Sequence, residues 1–109
     1  MPRRRAVPLT FAVLLLVAAP LAAEEPAKIF VRSCAPCHGK EGKPSAVFAQ
    51  QGVRDFTVPA WQKATSDAQI EKTIREGKKG TMMASFASQL SAAEIKGLAG
   101  YIRKLGAKK

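Results

Sequence analysis

Two cysteines and one histidine are all that 109 residues hold of these types, and each scarcity excludes something. Cys34 and Cys37 lie three positions apart, too close to staple a small fold, because a disulfide stabilises mainly by closing a long loop of the unfolded chain. A structural zinc site asks for about four Cys or His ligands, and the chain has three in all. With His38 alone, no centre can be ligated by two imidazoles of one chain. Acids are also few, 8 Asp and Glu against 18 Lys and Arg, for a net charge of +10. That excess suits acidic partners or surfaces. It does not suit nucleic acid, since the lysines are scattered singly or in pairs and no basic stretch is interleaved with aromatics. Strand-like alternation is absent too.

The longest apolar run, Leu9 to Ala19, is shorter than a typical membrane-spanning helix. It follows a positive opening at Arg3, Arg4 and Arg5, is interrupted by Pro20, and gives way to Ala22 and Ala23 just before Glu24. That is the layout of a secretory signal peptide over 1–23, although Leu21 stands where a small residue is usual. The expectation is an exported, periplasmic domain over 24–109, without stable membrane insertion after cleavage. A domain of that size buries a modest share of its surface. Lacking a disulfide framework, it needs something other than a protein cross-link to complete its core.

Helical periodicity accounts for the rest. Pro26 to Ser33 reads as a first helix, and Pro36 discourages helical geometry at Ala35, so this helix should stop at or near the cysteines. Gly39 to Trp61 is punctuated as loop by Gly39, Gly42, Pro44, Gly52 and Pro59, with one helical turn around Ala46 to Gln51. Ser66 with Gln69 makes a capping box, Ile70 and Ile74 share one face, and Gly77 ends that helix. Ser91 and Glu94 form a second capping box, with Leu90 and Ile95 placed as a hydrophobic staple. Ile95, Leu98, Ile102 and Leu105 then make an apolar stripe beside Tyr101. Lys104, Lys108 and Lys109 complement the negative end of that helix dipole. The class is all-α, with loops long enough to wrap around something other than protein.

Cys34-Ala35-Pro36-Cys37-His38 matches the C-x-x-C-H haem-attachment pattern. Thiols three positions apart share one face of a helical turn and can reach two vinyl groups of one porphyrin, while the next imidazole can swing onto the iron. A thioredoxin-like thiol pair would need a strand–helix context, and none is visible. The expected cofactor is one covalently held haem c, with His38 as an axial iron ligand. A soft thioether suits the second axial position, and the domain offers only Met82 and Met83.

These residues resemble the class I cytochrome c family over about Ala27 to Leu105. Phe30 lies four residues before Cys34 and Ala27 three further back, as in that family's first helix, and Gly39 follows the histidine. Leu98-Ala99-Gly100-Tyr101-Ile102-Arg103 resembles its last helix. The resemblance implies a cytochrome c-like fold wrapped around the haem. Met83-Ala84-Ser85-Phe86 with Leu90 fits the family's methionine register, with Ala84 replacing the usual proline, so Met83 is preferred to Met82. In the family a proline carbonyl often orients the histidine; Pro44 is the nearest here, at too short a spacing to rely on. Trp61 and Arg54 are donors available to a haem propionate. Phe48, Phe56, Phe86 and Tyr101 are expected as pocket wall or core.

With both axial positions filled by protein, the expected function is single-electron transfer without catalysis by the chain itself. The first expectation is a free, monomeric carrier. Lys40, Lys43, Lys78 and Lys79 would form its positive rim, docking redox proteins with acidic surfaces. Its alternatives are a fixed haem subunit of a multisubunit oxidoreductase and, further off, a ligand-binding or peroxidase-like haem protein with an open iron position.

Overall fold

The structure, a computed structural model, describes residues 2–15 and 22–108. The end of the expected leader's apolar run, Pro20, Leu21 and Lys109 lie outside the described residues. Residues 2–15 are exposed and form neither helix nor strand. The helices are α1 (Pro26–Ile29), α2 (Ala35–His38), α3 (Ala46–Gln50), α4 (Pro59–Ala64), α5 (Asp67–Glu76) and α6 (Ala92–Ala107), with a π-helical turn, Phe30–Cys34, joining α1 to α2. No strand occurs among the described residues. The expected all-α class is the observed one.

The first helical run differs from expectation. It does not stop before Pro36 but continues to His38. In the π turn Ala35 N–H reaches back five residues to Phe30 O, and the register restarts there. Pro36 then falls in the first turn of α2, where its missing N–H costs no helical bond. The same rule explains α4, which the loop reading of 39–61 left out at its C-terminal end. Pro59 is not loop punctuation but opens α4.

Both capping boxes form as expected, Ser66 with Gln69 and Ser91 with Glu94. They fix where α5 and α6 begin. The α6 stripe of Ile95, Leu98, Ile102 and Leu105 is buried and meets Ile29 and Phe30, both 0% exposed, and Ile70 and Ile74 of α5. The Phe30 ring lies 5.1 Å from Tyr101 and 6.3 Å from Phe56. Gly97 permits this crossing, since a Cβ there would lie 2.9 Å from Pro26 Cγ.

A polar clasp holds α4 on α6. Arg103 donates to Gln62 O at 2.7 Å, to Gln62 Oε1 at 2.8 Å, to Thr65 O and to Asp67 Oδ1 at 2.7 Å. Gln62 Nε2 in turn donates to Phe56 O at 2.8 Å and Ile102 O at 3.1 Å. Only a planar fork serves so many acceptors at once. The Asp67 carboxylate is 71% exposed and contributes little as an ion pair. Replacing Arg103 by Leu leaves carbonyls at 62 and 65 unpaired and should cost about 1–3 kcal/mol in denaturant unfolding. Asp67→Asn should cost under about 0.5 kcal/mol. Equal losses would show that the ion pair, not the carbonyl fork, holds α4.

Candidate functional site

The π turn and α2 deliver the C-x-x-C-H residues to one place. Cys37 and His38 line a cavity of about 390 Å³, within the size range of small-molecule and cofactor sites. Cys34 packs against the hydrophobic core. No disulfide joins Cys34 and Cys37. Burial pushes the Cys34 thiol up to about 11, with a smaller push from Cys37, so it stays protonated near neutrality. Gly39 then turns the chain at φ +81°, a left-handed geometry suited to glycine, and any Cβ there would collide with Lys43 O.

His38 is held at two points. Its Nδ1 donates to Arg54 O at 3.0 Å, which leaves Nε2 as the nitrogen with a free lone pair. Its ring stacks on Phe56 at 4.4 Å and 17°. Burial lowers its pKa, opposed in part by the bond to Arg54 O, and so favours the neutral, lone-pair-bearing imidazole that a metal requires. The bond from Phe56 N–H to Gly42 O, 2.8 Å, ties this segment to the loop after α2. The carbonyl that orients His38 thus comes from Arg54, not from Pro44, which is buried elsewhere in the loop. Spacing gave no signal for Arg54, because the contact spans sixteen positions of irregular chain.

Met82 and Met83 line the same cavity, and their surroundings separate them. Met82 is 62% exposed, whereas Met83 is half-buried and packs on the core. The Met83 loop is bound to the end of α5. Lys78 N–H donates to Met83 O at 3.0 Å, Ser85 Oγ to Arg75 O at 2.6 Å, and Phe86 N–H to Ile74 O at 3.0 Å. Gly77, at φ +73°, makes room for it, since a Cβ there would lie 2.8 Å from Met83 O. These bonds supply the rigidity that the missing proline at Ala84 withholds.

Phe56, Trp61, Ile70, Ile74 and Ile102 give the cavity an apolar wall, and Arg54 and Lys78 also reach it. Phe86 and Tyr101 pack against the core, and Phe48 is half-buried in α3. Among the described residues no three His, Cys, Asp or Glu side chains gather as a metal site. The soft and nitrogen donors that line the cavity are therefore the His38 imidazole, the Cys37 thiol and the two thioethers, with the Cys34 thiol one turn away on the core side. An apolar cavity with an oriented imidazole, a thiol of the C-x-x-C pair and a thioether on its wall fits a covalently held haem.

The family described as cytochrome c oxidase, cbb3-type, subunit III, matches residues 21–102. The cbb3-type cytochrome c oxidase subunit FixP of Azorhizobium caulinodans is 36% identical over 85 residues, which are 78% of this chain and 28% of that protein. FixP of Bradyrhizobium diazoefficiens is 34% identical over 79 residues, 72% of this chain and 26% of that one. The chain thus spans about a quarter of the length of these relatives. Among solved structures, the KustC0563 c-type cytochrome aligns at a TM-score of 0.69 and 33% identity, covering 75% of this chain and 98% of that one.

One expectation is corrected by these relatives. The reading as a free, monomeric carrier that docks acidic redox proteins gives way, because the relatives are named as subunits of an oxidase. Basic charge and small size favoured a diffusing protein, but neither measures what a surface is bound to. No helix of the described residues is long and apolar enough to cross a membrane. A C-x-x-C-H turn and a methionine loop on one apolar cavity, in an all-α fold shared with a c-type cytochrome, have one common source: the chain belongs to the c-type cytochromes, in the family of cbb3-type cytochrome c oxidase subunit III.

Proposed function

We propose that this chain is a haem-bearing electron-transfer subunit, or a segment of one, in a cbb3-type cytochrome c oxidase on the periplasmic side. Cys34 and Cys37 would hold one haem c through their sulfurs, and His38 and Met83 would supply the donors to its iron. Residues 1–23 direct export and are removed. The observation that carries the reading is a single apolar cavity walled by both His38 and Met83, which come from elements far apart in the chain.

When bound, the haem supplies one-electron chemistry between ferric and ferrous iron. The residues around it do the rest. The Arg54 carbonyl fixes the His38 tautomer and aims Nε2 away from the backbone. The Phe56 ring stops His38 from swinging. The loop bonds to α5 hold Met83 in register, so a change of charge meets little rearrangement of the protein. Apolar walls keep water away from the reacting centre, which is how a protein site tunes potential. With His38 and Met83 both donating to the iron, no position would be left there for a substrate, and the chain would pass electrons without transforming a molecule.

Met83→Leu should abolish the weak near-red band of the oxidised protein and lower the reduction potential, while Met82→Leu leaves both nearly unchanged. The opposite pattern would move the ligand to Met82. In Gly77→Ala, the strained φ and the crowded Met83 carbonyl should cost about 1–3 kcal/mol of stability and weaken the same band. An unchanged band and unfolding midpoint would show that Gly77 does not set the loop. An affinity-tagged chain isolated from its own host's membranes should bring a haem–copper oxidase with it. A chain eluting alone, with oxidase activity left wholly in the remaining membranes, would sink the subunit reading.

A further inference from the structure

The start of the folded domain is fastened in a way that gives the cut after Ala23 a physical consequence. Ala22 and Ala23 are exposed, whereas Glu24 is half-buried. The Glu24 backbone N–H donates to Glu94 Oε2 at 3.1 Å, across seventy positions of sequence. Glu94 Oε1 meanwhile accepts from Ser91 N–H at 2.9 Å in the capping box of α6. Arg32 clamps the Glu24 carboxylate at both oxygens, 2.5 and 2.9 Å away. Two residues on, Pro26 lies against Gly97 of the same helix. Positions 24 to 26 are therefore seated on the first turns of α6, and the nitrogen of Glu24 already points at a carboxylate.

An amide N–H carries one donor and no net charge. Hydrolysis of the Ala23–Glu24 peptide bond breaks the carbonyl carbon–nitrogen bond. Water's hydroxyl goes to the Ala23 carbonyl carbon and its proton to the Glu24 nitrogen, which takes a second proton from solvent. The product is an ammonium with three donors and a unit charge. We propose that removal of residues 1–23 at this bond converts the Glu24–Glu94 hydrogen bond into an N-terminal ion pair that latches the mature chain to its last helix. Neither the haem nor the oxidase enters this inference.

The charged neighbours are consistent with such a pair. Arg32 holds the Glu24 carboxyl below its usual range, and the N–H groups of Ser91 and Glu24 do the same for Glu94, so both are anionic at neutral pH. The cations in the cluster are Arg32, already engaged by Glu24, and Lys28. An amine that gains a carboxylate partner has a raised folded-state pKa. The latch is therefore fully present below the ordinary α-amino range of about 7.7–8.0 and is lost as pH rises through the raised value.

The exported holoprotein, made from the full chain, should have an intact mass that begins at Glu24. After reductive dimethylation, its N-terminal amine should titrate by ¹³C NMR above the ordinary range, and within that range in Glu94→Gln. Glutamine keeps the capping box, so the variant removes the charge and not the helix start. At pH 7 the wild-type Tm should exceed that of Glu94→Gln by about 1–4 °C, and the gap should shrink as pH rises toward 10. A mass showing the leader retained or cut elsewhere would overturn the inference. So would an N-terminal amine that titrates identically in the two proteins.

Discussion

Ile29 and Phe30 lose all contact with solvent where the first helical run crosses α6, and the positions of both halves of the site follow from that contact. Phe30 is also the residue whose carbonyl closes the π turn, so the side chain that anchors the run to α6 shares a residue with the backbone bond that resets its register. One turn later the chain delivers Cys34, Cys37 and His38. On another side of α6, Ile70 and Ile74 seat α5, and the end of α5 holds the Met83 loop. The last helix is thus the frame from which an imidazole and a thioether are brought to one cavity. Deleting a buried aromatic at such a crossing typically costs about 3–5 kcal/mol, which is a large fraction of what a domain this size has.

Burial and hydrogen bonding divide the work around that frame. Hydrophobic contact sets which elements meet, because it is strong but has no direction. Direction comes from a few backbone carbonyls. Arg54 O aims His38, Met83 O receives Lys78 N–H, and the carbonyls of residues 62 and 65 receive Arg103. Glycine appears where two backbones or a ring must come close, at Gly77 beneath the Met83 loop and Gly97 beneath Pro26. Each device sets position as well as adding stability, and the proposed electron transfer would need His38 and Met83 to stay put when the charge changes.

Local sequence signals were sufficient for the helix class, both capping boxes, the α6 stripe and the C-x-x-C-H motif, because each is read from residues close together along the chain. The resemblance to class I cytochromes c preferred Met83 to Met82 through its register with Phe86 and Leu90, and in the folded chain Met83 is the more buried of the two. Tertiary structure decided the rest. Pro36 and Pro59 look like helix breakers in one dimension, yet both sit in first turns where a proline costs no bond. The orienting carbonyl of Arg54, the fork of Arg103 and the seat of Glu24 on Glu94 join positions 16 to 70 apart. No local pattern marks such pairs, since backbone groups are the same at every residue and only the fold determines which of them meet.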